Sequence, residues 1–236
     1  MTRAALGALA LLLGWPAGAQ AQAYRCEVPQ RIEPPQPDLP GTRRLLPIGG
    51  YTLAISWAPQ QCRRGTDTAA RFQCGSGNRF GFTLHGLWPD GRMAEWPQYC
   101  RAAGLVDPEV IRETLCATPS VSLIQHEWAK HGTCMSARPA DYFTKARGLY
   151  EGLRFPDMIA LSRQPGLTAG TLAQAFAAAN PGMAAAMLRV RAQGGWLDEL
   201  WLCLDTRFRP RRCPAHQPGL GGAAPIRIWR GSLAPR

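Results

Sequence analysis

The cysteine content is the feature that most constrains how this chain can fold. All eight cysteines lie between positions 26 and 213 of the 236-residue sequence, beyond a segment typical of an export signal. An even number of cysteines in an exported chain favours a disulfide framework, and the paired Cys-x-x-Cys spacing of a zinc site does not occur. The sequence therefore predicts a domain stapled by four disulfide bonds.

The first 23 residues have the pattern of a secretory signal peptide. Arg3 precedes an apolar run over residues 4–13, and an Ala-Gln-Ala sequence suited to cleavage ends at Ala21 and again at Ala23. We therefore expect a signal peptide over residues 1–23, cleaved after Ala21 or Ala23, and a periplasmic or secreted protein. The apolar run is too short to anchor the chain in a bilayer, so we expect no stable membrane association.

The rest of the chain predicts a single α+β domain after an extended, proline-rich lead-in. The lead-in covers residues 24–50 and the domain covers residues 51–236. Strands are predicted at 51–57, 79–84, 187–191, 196–205 and 226–229, and helices at 108–116, 121–131, 139–153 and 168–179. Ser120 can cap the second helix and Gly132 can end it. Separated strands and helices favour a central, mostly antiparallel sheet with flanking helices.

The stretch His-Glu-Trp-Ala-Lys-His-Gly-Thr-Cys at 126–134 concentrates groups that transfer protons or carry charge. On a helix, Glu127 and His131 are four residues apart and Lys130 is three from Glu127, so their side chains share one face. His126 flanks this patch. A base, an acid and a cation are therefore predicted within side-chain reach of one another.

The ordinary explanation of this pattern is an exposed, ion-paired helix face, but the choice of lysine argues for chemistry. Lys130 and Lys145 are the two lysines among 27 Lys and Arg residues. An ammonium is a compact point charge that a guanidinium does not replace. A zinc site is disfavoured, because His126 and His131 are five apart whereas zinc-binding His-Glu-x-x-His helices space them by four. We expect no metal.

A second stretch, Phe-Thr-Leu-His-Gly-Leu-Trp-Pro at 82–89, places His85 at the end of a predicted strand. Strand-end histidines are usually structural, and Trp88 alone could equally be a core residue. However, three of the four histidines lie in these two stretches. The fourth, His216, lies in a loop rich in proline and arginine, and no role is assigned to it.

Together the two stretches resemble the active-site segments of the ribonuclease T2 family of secreted acid-type ribonucleases. The first family segment reads aromatic-Thr-Ile/Leu-His-Gly-Leu-Trp-Pro and the second reads His-Glu-aromatic-x-Lys-His-Gly-Thr-Cys; this sequence matches both almost position by position. The resemblance covers about residues 51–229. It implies a metal-independent endoribonuclease without cofactors, which converts single-stranded RNA to 2′,3′-cyclic phosphate and then 3′-phosphate products with low base specificity.

The resemblance also implies roles for the residues. His131 is expected to be the base that deprotonates the 2′-hydroxyl, and His85 the acid that protonates the leaving oxygen. Lys130 is expected to stabilise charge on the phosphorus oxygens, and Glu127 to tune His131 or assist proton movement. His126, whose position varies in the family, is expected to hold phosphate.

Base recognition is expected from aromatic platforms and one carboxylate. The family positions that match Trp88 and Asp90 help to build a base site, and Trp96 is a further stacking candidate. We expect a monomer whose partner is its single-stranded RNA substrate.

The family pattern also bears on the disulfides. It pairs a cysteine after the first segment with the one that ends the second, which here are Cys100 and Cys134. Proximity and the family pattern together favour Cys62–Cys74 and Cys203–Cys213. Elimination then leaves Cys26–Cys116 as the last expected pair.

The formal net charge of +11 favours anionic partners, either nucleic acid or a membrane surface. Two other classes of protein compete with a ribonuclease. An exported metalloprotease requires the zinc spacing that is missing here. A non-catalytic nucleic-acid-binding or lectin-like protein is compatible with a basic, disulfide-rich chain, but it gives no reason for His85, Glu127, Lys130 and His131 to occur together.

Overall fold

The structure of the protein, a computed structural model, describes residues 23–233 except residues 40, 66–70 and 76. The predicted signal peptide therefore lies outside the described residues, apart from Ala23. Among the helices that the structure describes, none is long and apolar enough to cross a membrane.

A four-stranded antiparallel sheet forms the centre of the fold, which confirms the predicted α+β class. Its strands are β2 (Gly50–Trp57), β4 (Phe82–Asp90), β5 (Leu188–Gln193) and β6 (Trp196–Leu204), in the order β4-β2-β6-β5. A short strand of the lead-in, β1 (Ala23–Arg25), pairs separately with β3 (Arg79–Phe80).

The helices lie around this sheet, and four of them begin at residues suited to capping. Side-chain oxygens of Asp107, Ser120, Asp157 and Thr168 accept hydrogen bonds from the first-turn amides of their helices. The helices are α1 (Ala58–Arg63), α2 (Arg71–Cys74), α3 (Pro108–Thr114), α4 (Val121–Glu127), α5 (Thr133–Met135), α6 (Pro139–Glu151), α7 (Met158–Arg163) and α8 (Ala169–Ala179).

The two faces of the sheet differ in chemistry. One face carries apolar residues such as Leu53, Ile55 and Leu200, which pack with helical residues in a single core. On the opposite face, β2 and β6 place Ser56 opposite Glu199. This second face, called the outer face below, holds polar and aromatic side chains and carries the candidate site.

The predicted helix end at Gly132 is wrong. The chain continues from α4 through a π-helical segment, Trp128–Gly132, into α5. Gly132 has the ordinary helical φ of −59°, so its conformation does not require glycine. Its missing side chain is explained by packing, because a Cβ atom there would overlap the ring of Trp128.

Two predicted strands also differ from the structure. The strand predicted at 79–84 is divided between β3 and β4, and β4 extends to Asp90, so His85 lies inside a strand rather than at its end. Residues 226–229 form only one parallel bridge, between Arg227 and Trp196. Strand β2 already pairs with β6 as far as Glu199, which leaves only the first residues of β6 available to the C-terminal segment.

Four disulfides staple the domain, and they join the cysteine pairs expected from the sequence, in which Cys26–Cys116 is the pair left by elimination. Cys100–Cys134 joins the loop after β4 to α5, immediately after the π-helical segment. The other three are Cys26–Cys116, Cys62–Cys74 and Cys203–Cys213.

Candidate active site

His85 lies at a β-bulge in strand β4. Gly86 lies opposite Ala54 and Leu84 opposite Ile55, so His85 has no partner residue in β2. A bulge leaves one residue unpaired and redirects its side chain. The side chain of His85 is 28% exposed and reaches across β2 towards β6.

A carboxylate on β6 holds one edge of the His85 imidazole. Nδ1 of His85 lies 2.5 Å from Oε1 of Glu199. Ser56, on the strand between them, donates to the same oxygen over 3.0 Å. The indole of Trp201 donates to Oε2 of Glu199 over 2.8 Å. The carboxylate is thus fixed by three neighbours, and it fixes the orientation of His85 in turn.

These contacts raise the pKa of His85 above the usual imidazole value. Burial alone would lower this pKa, but the hydrogen bond to Glu199 and the charges of Glu127 and Glu199 outweigh it. Burial opposes ionisation of Glu199 as well, yet its hydrogen bonds keep the pKa of this carboxyl below the usual value. His85 and Glu199 therefore favour the imidazolium and carboxylate forms.

Glu127 is buried beside the other edge of His85. Its Oε1 lies 3.6 Å from Nε2 of His85, and its Oε2 accepts a 2.7 Å hydrogen bond from the indole of Trp88. Gly86 permits this approach, because a Cβ atom there would overlap the carboxylate. Burial raises the pKa of Glu127, while the charge of His85 opposes that rise.

The family resemblance implies that Glu127 tunes His131 or assists proton movement, and the contacts of its carboxylate in the structure are with His85 and Trp88. The π-helical segment begins directly after Glu127, so the regular four-residue spacing that would align the two side chains is interrupted. The Glu127 carboxylate lies against His85 instead.

His131 has surroundings unlike those of His85. It is only 4% exposed, and its ring stacks on Trp88 with centroids 5.5 Å apart and planes at 29°. Among the described residues, its Nδ1 has no hydrogen-bond partner. Burial and then the charge of Lys130 lower the pKa of His131 well below the usual value, so its imidazole is neutral near neutral pH.

Trp88 connects the two imidazoles. Besides stacking on His131, its ring meets His85 edge-on at 5.1 Å and Trp201 edge-on at 5.2 Å. The two histidines predicted from separate stretches of sequence therefore belong to one site. Trp88 itself is packed among three rings.

A groove of about 390 Å³ opens beside this cluster and is called the central groove. It is lined by residues from both sequence stretches and from β6; these include Trp88, Asp90, Trp96, Lys130, His131 and Trp201. In the described part of the chain, the Lys130 ammonium forms no salt bridge. Its charge is thus available to a ligand.

Asp90 lies in the wall of the central groove. Both of its carboxylate oxygens accept from the hydroxyl of Thr52, over 3.1 and 2.9 Å. Burial raises the pKa of Asp90 to about 6, although the hydrogen bond from Thr52 and the charge of Arg211 act in the opposite direction. Asp90 can therefore change protonation in the mildly acidic range.

Trp96 and His126 lie further from the two imidazoles. Trp96 is 42% exposed, and the guanidinium of Arg44 lies 5.3 Å above its ring. Nδ1 of His126 lies 3.1 Å from Oδ1 of Asp38 in the lead-in. Asp38 also accepts from the hydroxyl of Tyr99 over 3.3 Å. His126 is thus held by a carboxylate outside both motifs.

Sequence reasoning missed Glu199, Ser56, Trp201 and Asp38. The acidic pair Asp198-Glu199 within an alternating strand was a usable signal, because charged residues rarely occupy a central strand without a partner. Asp38 stands in a proline-rich stretch of the sequence, and nothing in that stretch indicates its contact with His126.

The described residues contain no group of three or more His, Cys, Asp or Glu placed to hold a metal ion. The two imidazoles, the carboxylates beside them and the Lys130 ammonium equip the site for proton transfer and charge stabilisation.

Comparisons with known proteins agree on one family. The model of the "Ribonuclease T2 family" matches residues 48–213. A "Probable ribonuclease" of Haemophilus influenzae is 30% identical over 185 residues, which cover 73% of this chain and 64% of that protein. A "Ribonuclease" of Aeromonas hydrophila is 33% identical over 160 residues, covering 66% of this chain and 71% of the relative.

Solved structures share the fold at lower identity. An RNase-related protein from Calystegia sepium matches with a TM-score of 0.60 and 23% identity, over 76% of this chain and 97% of that structure. Trichomaglin, described as an S-like ribonuclease, matches with a TM-score of 0.59 and 22% identity, over 77% and 98% of the two chains.

Proposed function

The chain belongs to the ribonuclease T2 family, and we propose that it is an endoribonuclease that cleaves single-stranded RNA by transphosphorylation. The 2′-oxygen attacks the adjacent phosphorus and the bond to the 5′-oxygen breaks. This leaves a 2′,3′-cyclic phosphate on one fragment and a 5′-hydroxyl on the other. Water then opens the cyclic ester to a 3′-phosphate. The reaction needs a base, an acid and positive charge, but no metal.

The observation that carries this proposal is the opposite pKa shift of two imidazoles that contact the same indole. His131 is neutral and accepts the proton of the 2′-hydroxyl, whereas His85 is protonated and donates to the departing 5′-oxygen. A base and an acid must be present at once, and the two surroundings keep each group in the form that its role requires.

Lys130 and Glu127 complete the proposed machinery. The pentavalent phosphorane carries extra negative charge, and the ammonium of Lys130 beside the central groove stabilises it. Glu127 lies 3.6 Å from the nitrogen of His85 that delivers the proton, so it favours the imidazolium before transfer. His126, oriented by Asp38, is a further candidate to hold the phosphate.

Glu199 is a positioning residue in this proposal. Its contact with Nδ1 of His85 fixes the tautomer, so that the transferable proton resides on Nε2. We propose that Trp88, Asp90 and Trp96, which line the central groove, form its base-binding wall. In an RNA duplex the bases are paired and stacked, so they cannot present their faces to that wall. The proposed substrate is therefore single-stranded RNA.

The proposal is tested with a panel of dinucleotides cleaved in the presence of EDTA, with products identified by mass spectrometry. We expect a cyclic phosphate intermediate, a slower 3′-phosphate product, no cleavage of the matching deoxydinucleotides, and modest differences among bases. Loss of activity on chelation, or direct formation of 5′-phosphates, would rule out the proposed reaction.

We also propose that residues 1–23 are a signal peptide and that the mature protein is a periplasmic or secreted monomer. Cell fractionation identifies the compartment that holds the protein, and mass analysis of the recovered protein identifies the residue after which the signal peptide is cut. Sedimentation equilibrium decides whether the active form is the expected monomer.

A further inference from the structure

A second group of arginines and tryptophans occupies the outer face of the sheet, at the end of β6 away from the central groove. We define the Arg–Trp cluster as Arg63, Trp196, Arg227 and Trp229. The guanidinium of Arg63 lies 4.5 Å from the ring of Trp196 and 5.0 Å from that of Trp229. The guanidinium of Arg227 lies 4.2 Å from the ring of Trp196.

The local structure explains why these side chains point outward. Ile226 and Ile228 are buried in the core, so the alternating residues Arg227 and Trp229 face away from it. The amide of Leu197 donates to the carbonyl of Arg227 over 2.8 Å, which fixes the segment beside the start of β6.

The Arg–Trp cluster retains unused binding capacity. Among the described residues, neither Arg63 nor Arg227 forms a salt bridge. A guanidinium stacked on an indole keeps its N–H groups in its own plane, where they can donate to phosphate oxygens. Trp229 is 39% exposed, which leaves surface on which a base can stack.

The cluster is continuous with the candidate active site along strand β6. Trp196 precedes Glu199 by three residues, or about 10 Å along a strand. The same arrangement recurs beside the central groove, where the guanidinium of Arg191 lies 4.7 Å from the ring of Trp201. Between the two stacks, Arg64 pairs with Asp198 over 2.6 Å and Glu199 pairs with His85, so each acid along this path has a cationic partner.

From this arrangement we infer that the Arg–Trp cluster is a second binding site for single-stranded RNA, which holds nucleotides outside the cleaved dinucleotide. The inference rests on the proposed function for its substrate. Alternating cations and aromatic rings bind single strands without reading their sequence, since every phosphate is anionic and every base has a stacking face. An anionic membrane surface also attracts arginine and tryptophan, but it offers no reason for the cluster to lie along the strand that carries Glu199, which contacts His85.

The first test compares kcat/KM for a dinucleotide with kcat/KM for a single-stranded 20-mer. We expect Arg63→Gln and Trp229→Ala each to lower kcat/KM for the 20-mer about 5- to 100-fold, the range of a lost stacking contact, and to leave dinucleotide cleavage unchanged. Trp229→Ala retains the backbone carbonyl that accepts from the buried indole of Trp57, so the fold is preserved. Arg154→Gln is the matched control, because Arg154 is exposed in the loop between α6 and α7.

The second test measures binding of a 2′-deoxy 20-mer, which cannot be cleaved, at several salt concentrations. Arg63→Gln should weaken binding and reduce the slope of log K against log salt by about 0.7, the contribution of one phosphate contact on a single strand. Arg154→Gln should change neither. The melting temperature of each variant is measured alongside.

The outcomes separate this inference from the proposed function. A wild type that cleaves no RNA would refute the proposed function, and binding of the deoxy 20-mer would still test the cluster. Equal losses on the dinucleotide and the 20-mer, or no loss on either, would overturn the second site. So would an Arg63→Gln variant that binds the 20-mer normally but loses binding to vesicles of anionic lipid.

Discussion

His85 and His131 contact the same indole yet have opposite surroundings, and the comparison shows how one site can hold an acid and a base. His85 lies between the carboxylates of Glu127 and Glu199, which raise its pKa in spite of burial. His131 has no carboxylate partner among the described residues, is more deeply buried and lies near the Lys130 ammonium, so its pKa falls. The role of each imidazole therefore follows from its neighbours rather than from its position in a motif.

Removing either imidazole tests its assigned role most strongly. We expect His85→Ala and His131→Ala each to lower kcat by about 10²- to 10⁴-fold, because each removes one proton transfer. The double variant should lose far less than the product of the two factors, since the two groups act together. Full activity of either single variant in an RNA cleavage assay would exclude its assigned role.

Neutralising Glu199 should make the surroundings of His85 more like those of His131. Glu199→Gln removes the negative charge nearest to Nδ1, and we expect the pKa of His85 to fall by about 1–3. A bell-shaped rate profile loses activity at high pH as His85 deprotonates, so its alkaline limb should move to lower pH by the same amount. At a pH above the alkaline limbs of both proteins, the variant should be about tenfold slower than the wild type for each pH unit by which its alkaline limb moves.

The matched control is Asp198→Asn, which removes a carboxylate one residue away that pairs with Arg64. It should leave the alkaline limb in place. An unchanged limb in Glu199→Gln would show that Glu127 alone sets the pKa of His85.

The close approach of Glu127 to His85 depends on Gly86. In Gly86→Ala the added methyl group would overlap the carboxylate of Glu127, and we expect a loss of about 1–3 kcal/mol in unfolding free energy with reduced kcat. Gly148→Ala is the control, because no atom lies within 4 Å of the added Cβ and the position is helical. There we expect a gain of up to about 1 kcal/mol, and chemical denaturation measures both.

Lys130→Arg tests whether charge alone is needed beside His131, and it has the smallest expected effect. The charge is retained, so His131 should keep its low pKa, but the guanidinium is larger and directs its donors differently. We expect kcat to fall by about tenfold, less than the loss of a whole charge-stabilising donor. Full activity would show that charge alone suffices at this position; the pH profile should not move.

The two motifs predicted His85, Glu127, Lys130 and His131, and the structure brings both imidazoles to Trp88. The motifs could not predict which carboxylate contacts which imidazole. That depends on a bulge at His85 and a π-helical segment after Glu127, each of which changes the direction of side chains relative to a regular element.

Long-range contacts explain why the sequence did not predict the other features of the site and of the fold. Glu199 lies 114 residues from His85 and Asp38 lies 88 residues from His126, and no local pattern joins such pairs. The segment 226–229 has the alternating burial of a strand, but the neighbouring strand that it needed is already occupied by β2. Local periodicity thus indicates an extended segment there and leaves its pairing undetermined.

The most direct test of the central claim is an NMR titration of the imidazole rings in the wild-type protein, with the His85 and His131 signals assigned through their alanine variants. We expect His85 to titrate above the ordinary imidazole value and His131 well below it, so that between the two midpoints one ring is charged and the other neutral. Equal midpoints, or the reverse order, would contradict the assignment of acid and base.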